Sequence, residues 1–149
     1  MNQTDAGKET GLFVSEQHVR SRRWAVFEDN EVCAYLYLTE PDSQKPVGDC
    51  WIYNRIPAPE PSKIKEYRPQ PPPAASGYVG PQVQQSPSRE EQVSFRWSSD
   101  GNAVAVLIDG RPMGVVVIGG KSFSRHLVKG GPWGEPWDDD RFGQIFDEP

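Results

Sequence analysis

RWSSDGNAVAVLIDGRPMGVVVIGG, residues 96–120, has the clearest pattern of strands and turns in this chain. Apolar and polar side chains alternate along it, and Asp100-Gly101 and Asp109-Gly110 interrupt the alternation. Asp-Gly pairs are typical of two-residue hairpin turns, because both residues tolerate the positive φ that a type I′ turn requires. The stretch therefore predicts three antiparallel strands joined by two tight turns.

The two turns also predict which residues face each other, because the side-chain period of a strand is two. The first turn places three pairs on one face: Trp97 with Val104, Phe95 with Val106, and Val93 with Ile108. The second turn predicts Val106 opposite Met113 and Val104 opposite Val115. The predicted core face is thus Val93, Phe95, Trp97, Val104, Val106, Ile108, Met113, Val115 and Val117. The reverse face is small and apolar (Ala103, Ala105, Leu107, Gly114, Val116 and Ile118), which indicates that another element covers it.

The first half of the chain has a similar outline. RRWAVFEDNEVCAYLYLTEP (22–41) predicts a strand, an acidic turn and a second strand, and DCWIYNRI (49–56) predicts a third. Trp24 and Val26 are in phase with Cys33, Tyr35 and Tyr37 if the loop has an even number of residues.

A proline-rich stretch, residues 57–91, separates the two halves. It is too long for an ordinary connection inside a compact domain, so we expect a disordered insertion that is partly polyproline II. RPQPPP (68–73) is similar to the ligands of proline-binding adaptor modules, but a plain flexible insertion is the preferred interpretation.

The C-terminal residues predict a short helix, because Phe142, Ile145 and Phe146 have helical spacing. We therefore expect a mainly β fold: two three-stranded antiparallel meanders that form one sheet, a small sandwich or a partial barrel. A single domain, 1–149, would comprise a flexible N-terminus (1–20), the first meander (23–56), the insertion (57–91), the second meander (92–119) and a C-terminal loop or short-helix tail (120–149).

Composition narrows the classes of function. The 149 residues carry a net charge of −5, which argues against nucleic acid and anionic membrane as partners. No stretch approaches the about 18 apolar residues of a transmembrane helix, so we expect a cytoplasmic location. Cys33 and Cys50 are too few for a disulfide framework, and we expect two reduced core thiols.

Catalytic and metal-binding patterns are weak. Ser122, Ser124 and His126 lie close together on one loop, without the surroundings of a serine nucleophile. The carboxylates of Asp138–Asp140 have hard oxygen ligands for Mg²⁺ or Ca²⁺, yet they lack the spacing of a calcium loop and suit a helix start better. We predict no cofactor and no metal.

Aromatic residues form the candidate interaction surface: Tyr35, Tyr37, Trp51, Tyr53, Trp133 and Trp137. Aromatic side chains on strands often contact protein partners. They also commonly fill a β core, and that alternative stays open here.

VFEDNEVCAYLYL (26–38), CWIYN (50–54) and FRWSSDGNAVAVLIDGRP (95–112) together resemble a family of small, uncharacterised bacterial proteins. The resemblance implies a bacterial, cytoplasmic, β-rich domain of unknown function, with no catalytic residues to carry over. GVVVIGG (114–120) departs from the more aromatic strand expected at that position.

Taken together, these patterns predict a non-enzymatic protein-interaction domain. It would bind a protein partner, by analogy as toxin-neutralising proteins do, or associate with itself through the strand Met113–Ile118. The alternative is a small hydrolase or ligand-binding enzyme that uses the His126 loop or Asp138–Asp140.

Overall fold

The computed structural model describes residues 11–80, 84–85 and 88–146. Four antiparallel strands form the first sheet in chain order: β1 (Leu12–Gln17), β2 (Trp24–Asp29), β3 (Cys33–Thr39) and β4 (Pro46–Asn54). Five strands form the second sheet in chain order: β5 (Val93–Trp97), β6 (Ala103–Ile108), β7 (Arg111–Val117), β8 (Phe123–Ser124) and β9 (Glu135–Pro136). The last pair, β8 and β9, is parallel.

The prediction of a mainly β fold is confirmed, with four and five strands in place of two three-stranded meanders. A helix, α1 (Asp139–Phe146), follows β9, and short 3₁₀ helices span Pro61–Tyr67 and Glu90–Gln92. The described strands form two open sheets and no closed barrel. No helix in the described part of the chain is long and apolar enough to span a bilayer.

The predicted register of the central hairpin is confirmed, although its turn differs. Trp97 faces Val104, and the other two predicted pairs also form. The loop has four residues, 99–102, because Ser98 N donates to Ala103 O at 3.0 Å and Gly101 N donates to Ser98 O at 3.0 Å. Gly101 has a φ of +74°, whereas the carboxylate of Asp100 accepts a hydrogen bond from Asn102 N at 2.9 Å. The facing pairs are the same because the observed four-residue loop and the predicted two-residue loop are both centred on Asp100-Gly101.

The second turn is the predicted two-residue loop, since Asp109 and Gly110 have φ of +52° and +80° and Ile108 faces Arg111. A β-bulge follows it: Leu107 faces Pro112, but Val106 faces Gly114. The predicted pairs of Val106 with Met113 and of Val104 with Val115 are therefore wrong. The extra residue turns every later side chain of β7 to the other face.

Most of the core lies between the two sheets, which pack face to face. Its buried members are Ala25, Phe27, Ala34, Leu36, Leu38, Cys50, Ile52, Tyr53, Val93, Val104, Val106, Ile108, Met113 and Val116. Gly114 allows the sheets to approach closely, because a Cβ there would collide with Ile52 Cδ1 and lie 3.1 Å from Cys50 Sγ.

The predicted cover over the reverse face of the second sheet is α1. Phe146 packs there with Ala103, Ala105, Val115 and Phe123, and Val117 lies beside them. Val116 and Ile118, which we had placed on this face, contact the core between the sheets instead. Asp138 caps the helix, since its Oδ1 accepts a hydrogen bond from Arg141 N at 3.0 Å.

The expected disorder of the proline-rich insertion is not confirmed for its described residues. Ala74 and Ala75 are fully buried against the first sheet. The Asn54 side chain explains this: its Nδ2 donates to Ala74 O at 3.0 Å, and its Oδ1 accepts from Ala74 N at 3.0 Å. Residues 81–83 and 86–87 lie outside the described residues.

The N-terminal region contributes a strand that we did not predict. Leu12–Gln17 pair with β2 along their whole length, whereas residues 1–10 lie outside the described residues. The phase predicted for the first hairpin is confirmed, because Val26 faces Tyr37. Its turn is centred on Glu31, whose φ is +82°, and Glu28 faces Tyr35.

Candidate functional site

The outer face of the first sheet is covered on only part of its width. Residues of the insertion and the 127–133 loop pack over β3 and β4, and β1 and β2 lie beyond this cover. Along β2 the alternation is regular: Ala25, Phe27 and Asp29 are buried on the inner side, and Trp24, Val26 and Glu28 are half-buried on the outer side. The outer face over β1 and β2 is therefore accessible in the described part of the molecule.

A hollow of about 450 Å³ lies on this face. We call it the open hollow; its lining residues are Phe13, Ser15, Trp24, Val26, Glu28, Tyr37, Thr39, Gln44 and Pro46. The register places Val26 at its centre, between Ser15 on β1 and Tyr37 on β3. Trp24 and Glu28 lie two residues away on either side along the same strand. Phe13, on β1, is 64% exposed. The site thus has an apolar floor and aromatic walls.

Glu28 is the charged residue of the open hollow. Among the described residues, no group forms a hydrogen bond or an ion pair with its carboxylate. The negative charge of Glu28 also acts on Tyr37. Burial is the main cause that raises the pKa of Tyr37, and the carboxylates of Glu28 and Asp49 raise it further. A carboxylate beside aromatic faces attracts a cation by charge and by cation–π interaction. The open hollow therefore suits a cationic group with an apolar stem.

A second hollow, of about 610 Å³, lies on the other side of Tyr37. We call it the proline-walled hollow; it is lined by Tyr35, Tyr37, Asp49, Ile64, Arg68, Pro69, Gln70, Pro71, Pro72, Pro132 and Trp133. The hydroxyl of Tyr35 donates to Pro72 O at 2.7 Å, which holds the proline segment against the sheet. Partial desolvation raises the pKa of Asp49 at the rim. Tyr37 thus separates two neighbouring hollows.

The structure separates the six aromatic residues predicted to form one interaction surface. Trp51 and Tyr53 are fully buried and have no surface for a partner, which corrects that part of the prediction. Tyr53 lies in the core between the sheets, where its hydroxyl donates to Asp29 Oδ2 at 2.7 Å. Tyr35 and Trp133 are nearly buried, at 6% and 5% exposed.

Two of the six have accessible surface in different places. Trp137 lies on the outer side of the second sheet, with the Arg125 guanidinium 4.1 Å from its ring centre. Tyr37 is half-buried and lines both hollows of the first sheet. Its ring stacks on that of Tyr35, with the centroids 5.9 Å apart. Tyr37 is therefore the member of the predicted set that lies at the centre of the candidate site.

Sequence reasoning missed Phe13, Trp24 and Glu28 as site residues. The alternation of Trp24, Val26 and Glu28 along one face was visible in the sequence. Phe13 was not considered, because the N-terminal region was expected to be flexible.

The residues of the alternative enzyme hypothesis lie in different surroundings among the described residues. Asp138–Asp140 line a surface hollow formed by 135–141, and neither Ser124 nor His126 is among its lining residues. The Ser124 hydroxyl is buried and donates to Met113 O at 3.5 Å. Burial, with Arg111 and Arg125 nearby, lowers the pKa of His126.

The other candidate chemistry also has no support. Cys33 and Cys50 are buried free thiols, and burial raises the pKa of each to about 12, which disfavours the reactive thiolate. Within the described ranges, no group of three His, Cys, Asp or Glu side chains is arranged to hold a metal ion.

Self-association through Met113–Ile118 needs an uncovered strand, and β7 is covered over part of this length. It pairs with β6 on one side and, at Gly114 and Val115, with β8 on the other. Val115 and Val116 are buried on opposite faces. At Gly114 and Val115 the strand therefore has no free edge for a second copy, and self-association along the rest of Met113–Ile118 stays a prediction.

Comparison of the chain with protein-family models, with curated proteins and with solved structures finds no match. The resemblance to small bacterial proteins therefore stays a prediction.

Proposed function

We propose that the protein is a non-enzymatic interaction domain that binds a basic segment of a partner polypeptide at the open hollow. The observation that carries this proposal is Glu28, a half-buried carboxylate without a partner among the described residues. Phe13 faces it from β1, and Tyr37 lines the same hollow from β3. A cationic ligand would give this carboxylate a charged partner that no described residue supplies.

The shape and polarity of the hollow support a lysine or arginine side chain as the group that enters it. The aliphatic stem of such a side chain would pack on Phe13 and Val26, while its charged end approaches Glu28. Ser15 and Thr39 add hydroxyl groups at the rim. The net charge of −5 would speed the encounter with a basic partner.

A protein partner agrees better with these features than a nucleic acid does, because phosphate would be repelled by Glu28 and by the net charge. A basic toxin is one class of partner with the required chemistry. The bacterial, cytoplasmic setting implied by the family resemblance belongs to this proposal as well. The hydrolase alternative is less favoured, because the hollow lined by Asp138–Asp140 includes neither Ser124 nor His126 among its lining residues.

Backbone and indole N–H shifts measured by NMR during peptide titration test the proposal. The probe is a short peptide of alternating lysine and threonine, and the control is the same peptide with glutamate in place of lysine. We expect saturable shifts at Val26, Tyr37 and the Trp24 indole with the lysine peptide alone. Equal shifts with the glutamate peptide, or shifts confined to the second sheet, would refute the proposed site.

A further inference from the structure

We infer that β1 is a docking edge: the partner segment adds to the first sheet as a further strand beside β1 and places a cationic side chain in the open hollow. This inference rests on the proposed function and adds the backbone geometry of binding. Addition of a strand to a sheet edge is a recurring mode of peptide recognition, in which main-chain hydrogen bonds supply affinity and side-chain pockets supply specificity.

The backbone groups of β1 point alternately toward β2 and away from the sheet. His18 N donates to Arg23 O at 3.0 Å, directly after the pair of Gln17 with Trp24. Hydrogen-bonded and non-hydrogen-bonded pairs alternate along an antiparallel ladder. Glu16, Val14 and Leu12 therefore bond to β2, and the N–H and C=O groups of Phe13, Ser15 and Gln17 point away from the sheet. No backbone group of the described residues bonds to that side of β1.

The opposite edge of the same sheet differs, because other segments cap it. Asn54 forms a bridge with Gln84, and its carbonyl accepts a hydrogen bond from Gln85 N at 2.9 Å. Trp51 N donates to Trp133 O at 3.3 Å. Strand β5 also ends a sheet, but the open hollow adjoins β1. The edge at β1 thus combines unpaired backbone groups with a neighbouring side-chain site.

Side chains of β1 connect the free edge with the open hollow. Phe13 and Ser15 direct their backbone groups to the edge, and they also line the open hollow. A strand added beside β1 would lie two strand spacings, about 10 Å, from β2. An extended lysine or arginine side chain on the outer face of that strand reaches across β1 toward Glu28. One bound strand can therefore use both the edge and the carboxylate.

The same geometry decides between a basic partner and a second copy of this chain. In a second copy, β1 would offer Phe13, Ser15 and Gln17 at the outer-face positions, and none of them is cationic. Two chains of net charge −5 also repel each other. The occupant is therefore a strand of another polypeptide that carries lysine or arginine at alternate positions.

The test compares Ser15→Pro with Ser15→Ala in binding the alternating lysine–threonine peptide. Proline removes the edge-facing N–H, and an edge position tolerates it because that N–H has no partner within the sheet. We expect Ser15→Pro to bind roughly tenfold or more weakly than Ser15→Ala, because both variants lack the hydroxyl and only Ser15→Ala keeps the edge-facing N–H. Equal binding by both variants would overturn the inference.

A second measurement does not depend on the folding of a variant. Two versions of the peptide carry N-methyl groups on alternate backbone amides, one version in each phase. We expect one phase to lose binding to the parent protein and the other to retain it. If both phases bind like the unmodified peptide while Glu28→Gln still weakens binding, the strand-addition inference fails and the proposed function stands.

Two further outcomes would also overturn the inference. Failure of the unmodified peptide to bind at all would remove the proposed function together with the docking edge. A dimer in sedimentation of the protein alone that Ser15→Pro dissociates would identify a second copy as the occupant of β1.

Discussion

Replacement of Glu28 by glutamine removes one negative charge from the open hollow with little change in shape. We expect the affinity for a lysine-containing peptide to fall while the folding stability stays the same. These two readouts separate a binding carboxylate from a structural one, because a structural carboxylate would lose intramolecular contacts. Glu28 has no such contacts among the described residues, so its neutralisation should shift the free energy of unfolding by less than about 0.5 kcal/mol.

The size of the binding effect follows from the half-buried position of Glu28. A cation about 4 Å from the carboxylate gains about 4 kcal/mol of Coulomb energy at the intermediate dielectric of a protein surface. Loss of hydration and side-chain ordering offset most of that gain. A net contribution of about 1–2 kcal/mol remains, between the values of exposed and fully buried pairs. Affinity should therefore fall about 5- to 30-fold.

Isothermal titration calorimetry of the lysine peptide measures this change, and urea denaturation measures the stability. Glu31→Gln is the matched control, since Glu31 is exposed, lies in the adjacent turn and is absent from both hollows. Rising salt should weaken binding to the parent protein more than to Glu28→Gln. Glu28 is not the binding carboxylate if Glu28→Gln binds like the parent protein, or if Glu31→Gln loses as much affinity.

Three further predictions concern the scaffold that holds the site. Arg55→Met removes the charge partner of the Asp29 carboxylate, which is 2% exposed and 2.8 Å from the guanidinium. We expect the free energy of unfolding, measured by urea denaturation, to fall by about 3 kcal/mol. Adding Asp29→Asn in a double variant should restore part of this loss. Gly114→Ala places a methyl group against Ile52 Cδ1. We expect the free energy of unfolding to fall by about 1–3 kcal/mol and Ile52→Val to restore part of it. An unchanged free energy of unfolding in Gly114→Ala would show that the sheets can move apart freely. Burial and two neighbouring arginines lower the pKa of His126. The unfolded chain therefore takes up a proton at a higher pH than the folded chain does. The free energy of unfolding should fall as the pH drops from about 6.5 toward the lowered pKa. Thermal unfolding across this pH range should lose that slope in His126→Gln, and an unchanged slope would contradict the assignment.

The pairing of β5 with β6 follows from the sequence pattern alone. On β5, Phe95 and Trp97 alternate with polar residues, and on β6, Val104 and Val106 alternate with alanines. A shift of the pairing by one residue would therefore turn the large apolar side chains away from the core. This constraint is independent of the turn geometry, and the register was right although the loop has four residues.

The register of β7 was decided by tertiary structure. Val115, Val116 and Val117 are three identical side chains in succession, so alternation carries no information about which of them faces the core. The bulge turns Val116 inward, toward the core between the sheets, and leaves Val115 and Val117 to the helix. The packing of the two sheets, which meet closely at Gly114, therefore decides which of the three valines faces the core between them.

The candidate site divides in the same way. The pattern of Trp24, Val26 and Glu28 assigns these residues to one face of β2 from sequence alone, because side chains on a strand point alternately to its two sides. Whether that face is covered depends on where distant segments pack. Ala74 hydrogen-bonds to Asn54 over β4, and Leu12–Gln17 add a strand at the other edge. Long-range contacts of this kind place the cover over β3 and β4 and leave Glu28 accessible, and local sequence does not encode them.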